Sequence, residues 1–331
     1  MKNFWQKLSK PFFVLAPMAD VTDVAFRRVI AKYGKPDVTW TEFVSADGLA
    51  FAPEEGKKKL LKDLEYSEGE RPIVAQLFTS NPKTMEEASS LCRELGFDGI
   101  DINMGCPDRY IEKQGAGAAH IKDPIRAKEV IAAAKKGAKE LPVSVKTRLG
   151  YNTDELEQWL PHLFEADPVA ITIHARTRKE MSKVPARWER IRYAVEMRNT
   201  YAPHILILGN GDVVDVADAK EKVAASNADG AMLGRAIFGN PWLFSDMHYN
   251  EGGKKESVSL EEKMRVMVEH TYLFEELLPH KNFAIMKKHY KAYVNGFDGA
   301  SELRQSLMAT SSAQEVEIIV SEFLAKNSIS V

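Results

Sequence analysis

Eight short apolar or β-branched runs, each followed by a stretch of helical periodicity, constrain this chain more than any single motif. The runs at 13–18, 38–45, 73–79, 99–103, 143–149, 170–176, 204–209 and 230–234 read as strands. Helices between them open on legible signals: Asn81-Pro82 before 83–95, Asp123-Pro124 before 125–139, Thr153 before 154–165 and Asp215 before 216–226. Eight strands alternating with helices favour a parallel sheet closed into a (β/α)8 TIM barrel over an open doubly wound sheet. After Phe244 the pattern changes. A polar, glycine-containing link at 249–255 leads into helical stretches at 260–278, 282–293 and 314–325 with no strand among them. The expected organisation is a TIM-barrel domain over 1–248 and a small all-helical domain over 249–331.

With 331 residues, 44% of them apolar, the chain can bury a core of that size. A net charge of -2 does not advertise a nucleic-acid binder, so any polyanion has to meet a local patch. No apolar run approaches the roughly 20 residues that span a bilayer, and no membrane association is expected. The first ten residues carry Lys2, Lys7 and Lys10 but lack the apolar centre and cleavage site of a secretory signal; the expected location is the reducing cytoplasm. Two cysteines do not make a disulfide framework. Cys92 sits at an apolar position of a helix and reads as a buried thiol. Cys106 differs: in Asn103-Met104-Gly105-Cys106-Pro107, directly after the run 99–102, it reads as a positioned reactive group.

Chemistry on a barrel sits at the C-terminal ends of its strands. In order, those ends carry Pro17-Met18, Glu42, Gln76, Asn103 with Cys106, Lys146 with Arg148, His174 with Arg176, Asn210-Gly211-Asp212 and Gly234-Arg235. One such group could be a satisfied buried polar residue; a polar group at nearly every end is hard to explain as packing. The last two strands usually bind phosphate, and Gly209-Asn210-Gly211 and Gly234-Arg235 offer backbone access and a guanidinium. A phosphorylated cofactor is suggested, and flavin mononucleotide (FMN) fits: Lys146 beside its N1–C2=O edge would stabilise the anionic reduced form, and Gln76 could bond a heterocycle edge. No His or Cys pair has zinc-ligand spacing, so no metal is expected, and there is no Walker lysine motif or Gly-x-Ser-x-Gly elbow. The stretch 115–120 lacks the last glycine and the preceding strand of a dinucleotide fingerprint.

These residues resemble the tRNA-dihydrouridine synthase family. The matching motifs are Ala16-Pro17-Met18-Ala19 with Thr22-Asp23 and Phe26-Arg27, Gln76-Leu77, Asn103-Met104-Gly105-Cys106-Pro107, Val145-Lys146-Thr147-Arg148-Leu149-Gly150 and Ile173-His174-Ala175-Arg176-Thr177. They continue as Asn210-Gly211-Asp212, Met232-Leu233-Gly234-Arg235-Ala236 and Gly239-Asn240-Pro241-Trp242, and resume near His289 to Tyr293 and at Gly299-Ala300-Ser301-Glu302-Leu303-Arg304. The resemblance implies an FMN enzyme that reduces the C5=C6 bond of particular uridines in tRNA, with NADPH reducing the flavin. It implies FMN contacts from Pro17, Met18, Ala19, Gln76, Lys146, His174, Asn210, Gly211, Asp212, Gly234 and Arg235. Hydride would go from reduced flavin to C6 and a proton from Cys106 to C5; an ordinary thiol, with pKa near 8.5, is mostly protonated at pH 7. Asn103 and Arg148 would face the uracil edge, and Arg176 is grouped with them as substrate-binding. Some family members carry a tyrosine about eight residues after the barrel histidine, where this chain reads Met181-Ser182-Lys183.

A base embedded in folded RNA must leave its stack, at a cost of a few kcal/mol. Phosphate contacts elsewhere would offset that cost. Between Lys281 and Arg304 stand five basic residues, Lys281, Lys287, Lys288, Lys291 and Arg304, against Asp298 and Glu302. The resemblance makes Lys287, Lys288, Lys291 and Arg304 expected tRNA contacts, with Tyr290 and Tyr293 interleaved as stacking platforms. Lys57-Lys58-Lys59 reads as a solvated face. The expected partner is tRNA, bound by a monomer. The rivals are a dihydroorotate-dehydrogenase-like FMN barrel acting on a free pyrimidine, and an RNA-binding homologue without catalysis.

Overall fold

The computed structural model describes residues 3–245 and 258–327. The expected boundary at 248 and the polar link at 249–255 lie outside the described residues. All eight expected strands are present: β1 (Phe12–Leu15), β2 (Thr39–Ser45), β3 (Ile73–Phe78), β4 (Gly99–Asn103), β5 (Val143–Arg148), β6 (Ala170–His174), β7 (Leu206–Asn210) and β8 (Gly230–Leu233). Every pair is parallel, and the order runs from β1 through β8 and down to β2. The circle closes between Val14 and Val38: Leu15 N–H donates to Val38 O at 3.3 Å and Asp37 N–H to Phe13 O at 3.0 Å. The fold is a TIM barrel.

The period-two alternation of a strand sorts its side chains between barrel interior and helix layer. Ile100, Ile102, Val143, Val145, Ile171, Ile173 and Ile207 belong to the core that includes the surrounding helices. Val14, Trp40, Val74, Leu208 and Met232 belong to a second cluster with Trp5, from the 3-10 turn Phe4–Lys7. Trp5 lies 5.9 Å from Trp40 between ring centroids. Asp37, Asp98 and Asp229, just before β2, β4 and β8, each accept a bond from the N–H of an early residue in an adjacent strand: Phe13 at 2.6 Å, Ile73 at 2.9 Å and Ile207 at 2.8 Å. Such acids belong to the stability face of a barrel.

Helices Pro82–Glu94, Pro124–Ala138 and Val216–Ser226 start where Asn81, Asp123 and Asp215 cap them. Leu156–Ala166 starts later than expected, because Glu155 N–H bonds Leu149 O at 3.0 Å and the Glu155 carboxylate takes Tyr151 N–H at 2.7 Å, so the chain folds back before the helix. Strands β1 and β6 end at Leu15 and His174, before the expected 18 and 176, and release those residues into loops. Helices Val24–Tyr33, Ala46–Phe51, Glu54–Asp63 and Trp188–Tyr201 escaped sequence reasoning; Glu54–Asp63 fully buries no residue and so shows no apolar stripe. Cys92 is fully buried, and burial pushes its thiol up to about 12.

Gly137 ends the face of Pro124–Ala138 that crosses Pro82–Glu94. A Cβ there would stand 2.0 Å from Glu86 O. Removing a helical glycine ordinarily gains about 1 kcal/mol. The backbone clash outweighs that gain, so Gly137→Ala should lower stability by ~1–3 kcal/mol, read as a lower denaturant midpoint with an unchanged slope.

Contacts divide the chain into two compact units, Met1–Ala19 with Asp37–Gly234, and Asp20–Pro36 with Arg235–Val331. The second is helical and includes Val24–Tyr33, an element of the early sequence, with Leu260–Leu277, Met286–Tyr293, Ala300–Met308 and Ala313–Asn327. Lys32 Nζ and Tyr33 Oη meet Glu269 at 2.7 and 2.6 Å within it. No helix among the described residues is long and apolar enough to cross a membrane.

Candidate active site

The register aligns the expected residues across the barrel: Gln76 beside Asp101, Asn103 beside Lys146, Arg148 beside His174, and His174 beside Asn210. Beyond β4 the chain turns sharply at Cys106, and each polar group of the turn is engaged. Asn103 Oδ1 accepts from Gly105 N–H at 3.2 Å and Cys106 N–H at 2.9 Å. Gly105 O accepts from Arg148 Nε at 2.7 Å, and Cys106 O from Ala118 N–H at 3.0 Å. Thr147 Oγ1 donates to Met104 O at 3.2 Å and accepts from Trp159 Nε1 at 3.0 Å. Gly117 is at φ 61° and a Cβ there would stand 2.8 Å from Cys106 O, so the stretch set aside as a failed fingerprint braces the Cys106 turn.

Cys106 is half-buried, and burial raises its thiol pKa above the ordinary value. A raised pKa keeps the proton on sulfur at neutral pH, the state an acid needs. Lys146 Nζ donates to Asn210 Oδ1 at 3.2 Å while Asn210 Nδ2 donates to Met232 O at 2.8 Å. Burial, with the neighbouring Arg148 guanidinium adding to it, pulls the Lys146 ammonium down to about 8. Arg148 is pulled down to about 10, chiefly by burial. It remains a cation at neutral pH. Arg176 Nη1 lies 3.2 Å from His174 Nε2; a guanidinium only donates, so Nε2 accepts and the ring proton is on Nδ1.

Several of the expected residues also hold the loops around the site. Arg176 is 2% exposed and spends its guanidinium on Asp212, His174 and Val184 O, while Asp212 also takes Ala186 N–H at 2.9 Å. It frames the loop after β6. Arg148 bonds Gly105 O, Thr177 O and Met181 O, which ties the Cys106 turn to the loop at 177–187; Nη2 makes no bond to the described residues. Gly209 serves packing, because a Cβ there would enter the Trp188 ring at 2.3 Å. Pro17 is buried, Met18 half-buried and Ala19 exposed after β1, and a Cβ at Gly234 would touch Met18 Sδ at 3.5 Å. A Cβ at Gly211 would press on Ala186 and His174 at 2.9 and 3.1 Å.

Arg235 opens the 3-10 turn Arg235–Ile237 in the helical unit. There, Lys291 is exposed and Lys287 and Lys288 are half-buried on Met286–Tyr293, and Arg304 Nη1 bonds Val294 O at 2.8 Å. Lys281 lies 3.7 Å from Asp20. Tyr290 and Tyr293 are not stacking platforms: both are fully buried. Helical spacing sets Met286, His289, Tyr290 and Tyr293 on the inner face and turns the three lysines away from it.

Asp101 is a functional candidate that sequence reasoning missed. Asp101 is 1% exposed within the barrel and accepts from Gln76 Nε2 and Ser144 Oγ, both at 2.6 Å. Burial raises its carboxyl to about 6. The signal was legible: a charged residue in a buried strand, two positions from Asn103 and so on its face.

The donor set fits a flavin. Lys146 is buried between Asp101 and the Arg148 guanidinium, and burial first and Arg148 second depress its ammonium, so an anionic group placed beside it would restore the charge. A heterocycle that is anionic when reduced suits it. Among the described residues, no group of three or more His, Cys, Asp or Glu could hold a metal ion.

Residues 14–329 match the family model described as dihydrouridine synthase. A probable tRNA-dihydrouridine synthase of Staphylococcus aureus (strain COL) is 42% identical over 326 residues, 98% of this chain and 97% of that protein. A probable tRNA-dihydrouridine synthase 2 of Bacillus subtilis (strain 168) is 42% identical over 98% of each chain. Among solved structures, morphinone reductase in complex with tetrahydroNAD shares the fold with a TM-score of 0.50 at 14% identity, over 77% of this chain and 91% of its own. Histamine dehydrogenase from Rhizobium sp. 4-9 gives 0.52 at 12%, over 79% and 48%. The barrel, its strand-end site and these matches define a flavin-dependent oxidoreductase. The free-pyrimidine and inactive readings are not favoured. More particularly, the chain belongs to the dihydrouridine synthase family.

Proposed function

We propose that this protein reduces the C5=C6 bond of particular uridines in tRNA, with FMN as its flavin and NADPH as the reductant. The observation that carries the reading is Cys106: a half-buried thiol, kept protonated by burial and held by bonds on both sides of its turn, beside Lys146 and Arg148. When bound, the flavin supplies the hydride. Lys146, oriented by Asn210, holds positive charge against the flavin head, and Gln76 binds its edge. Pro17, Met18, Ala19, His174, Gly211, Asp212 and Gly234 complete the cradle, with Arg235 for the phosphate. Cys106 protonates C5 of the base, and Arg148 steadies the charge that develops on the uracil oxygen. Asn103 aligns the acid and offers an edge to the uracil. Arg176 supports both through His174 and Asp212.

The helical region is read as the RNA-binding domain, and the enzyme as a cytoplasmic monomer. Free cysteines at 92 and 106 agree with a reducing compartment. Charge reversal at Lys287, Lys288 and Lys291 is expected to weaken tRNA binding and flatten its salt dependence while flavin content stays constant. An unchanged affinity would place the RNA surface elsewhere.

The function is tested by the absorption spectrum of the purified protein, followed through anaerobic NADPH addition with and without unmodified tRNA, with the tRNA scored by mass. Flavin bands that bleach with NADPH and recover as the tRNA gains two hydrogens support the reading. Bleaching without a mass gain assigns the wrong substrate, and turnover of free dihydroorotate then becomes the next measurement.

A further inference from the structure

Three side chains connect the floor of the site to its reactive turn. Asp101 Oδ2 accepts from Gln76 Nε2 at 2.6 Å; Gln76 Oε1 accepts from Asn103 Nδ2 at 3.0 Å; Asn103 Oδ1 accepts from the N–H groups of Gly105 and Cys106. Each amide could sit in either of two orientations of nearly identical shape, so its partners select one. A carboxylate only accepts, which turns the Gln76 NH2 group toward Asp101 and its carbonyl toward Asn103. That in turn commits the Asn103 NH2 group to Gln76 and leaves its carbonyl for the turn. All three residues are at most 6% exposed, so water does not readily substitute for a lost partner.

We infer that Asp101 is a positioning residue: it sets the direction of the amide relay Gln76–Asn103 and through it holds the Cys106 turn. The inference rests on the reading of Cys106 as the proton donor. Ser144 Oγ also donates to Asp101, but it lies off the relay and serves as an internal control.

The readout is the alkylation rate of Cys106 in the flavin-loaded enzyme with Cys92 replaced by serine, measured with iodoacetamide across pH beside kcat and KM for tRNA. Asp101→Ala removes the acceptor and frees Gln76. The turn then loosens, its thiol gains solvent, and alkylation at pH 7 should become about tenfold faster as the thiolate fraction rises. Asp101→Asn can still present a carbonyl to Gln76 and should stay within about twofold, as should Ser144→Ala. In Asp101→Ala kcat should fall while KM for tRNA holds. If Asp101→Ala does not fold, Gln76→Met cuts the relay at its middle with a side chain of similar length, and the same acceleration is expected. Unchanged alkylation in the variant that cuts the relay, or equal changes in Asp101→Ala and Asp101→Asn, would overturn the relay. The reading of Cys106 as acid fails by a different result, product formation without the thiol.

Discussion

Cys106→Ala is expected to retain flavin and its reduction by NADPH yet lose about 10²–10⁴ in the rate of uridine reduction, the range typical of a removed general acid. The reason lies in the turn. Asn103, Arg148 and Ala118 hold the backbone of residues 105 and 106 whether or not sulfur is present, so the variant keeps the site's shape and loses only the proton. Single-turnover mixing of pre-reduced enzyme with unmodified tRNA separates the steps. A slow reoxidation with tRNA affinity intact is the expected result. Product formation at the wild-type rate would remove Cys106 from the acid role and leave its careful placement to be explained by another step.

The second large effect concerns the helical unit. His270 and His289 are fully buried there, 4.7 Å apart between ring centroids, and neither ring nitrogen of either has a hydrogen-bond partner among the described residues. Phe26 stacks on His270 at 4.7 Å, Phe238 on His289 at 5.8 Å, and the Tyr293 hydroxyl has no partner among the described residues. Burial holds both imidazoles neutral: His289 is lowered to about 3 and His270 falls well below its ordinary value. A folded pKa below the unfolded one gives stability that is complete above the unfolded value, near 6.5, and is lost as pH falls toward the folded value. Moving from pH 7 to pH 5 should cost about 2 kcal/mol for His289, with a further loss in the same direction from His270. His289→Phe fits the aromatic surroundings and should flatten this acid loss, measured as the change in denaturant midpoint between the two pH values. An equal loss in wild type and variant would assign acid sensitivity to carboxylates instead.

Much of the barrel was legible because its signals are local. Period-two runs and capped helix starts such as Asn81-Pro82 and Asp215 are written in neighbouring residues, and the eight strands follow from them. The strand-end residues Gln76, Asn103, Lys146, Arg148, His174 and Asn210 were legible for the same reason, since a strand's end places its last side chains. Asp101 was read as part of an apolar run although alternation alone puts it on the face of Asn103. Tyr290 and Tyr293 were read by their company in sequence, beside Lys287, Lys288 and Lys291, whereas helical spacing separates the two groups.

The alternation of elements, the place of Cys106 just past a strand end and the polar ring at the strand ends were determined by sequence alone, because each depends on residues a few positions apart. Only the tertiary structure decided who bonds to whom: Arg176 with Asp212, Arg148 with the carbonyls of 105, 177 and 181, Gly117 against Cys106, and the path from Asp101 to the reactive turn. Those partners lie on different strands and loops. Strand register brings them together, and register is a property of the closed barrel, in which shifting one strand by a residue would turn its inward groups out.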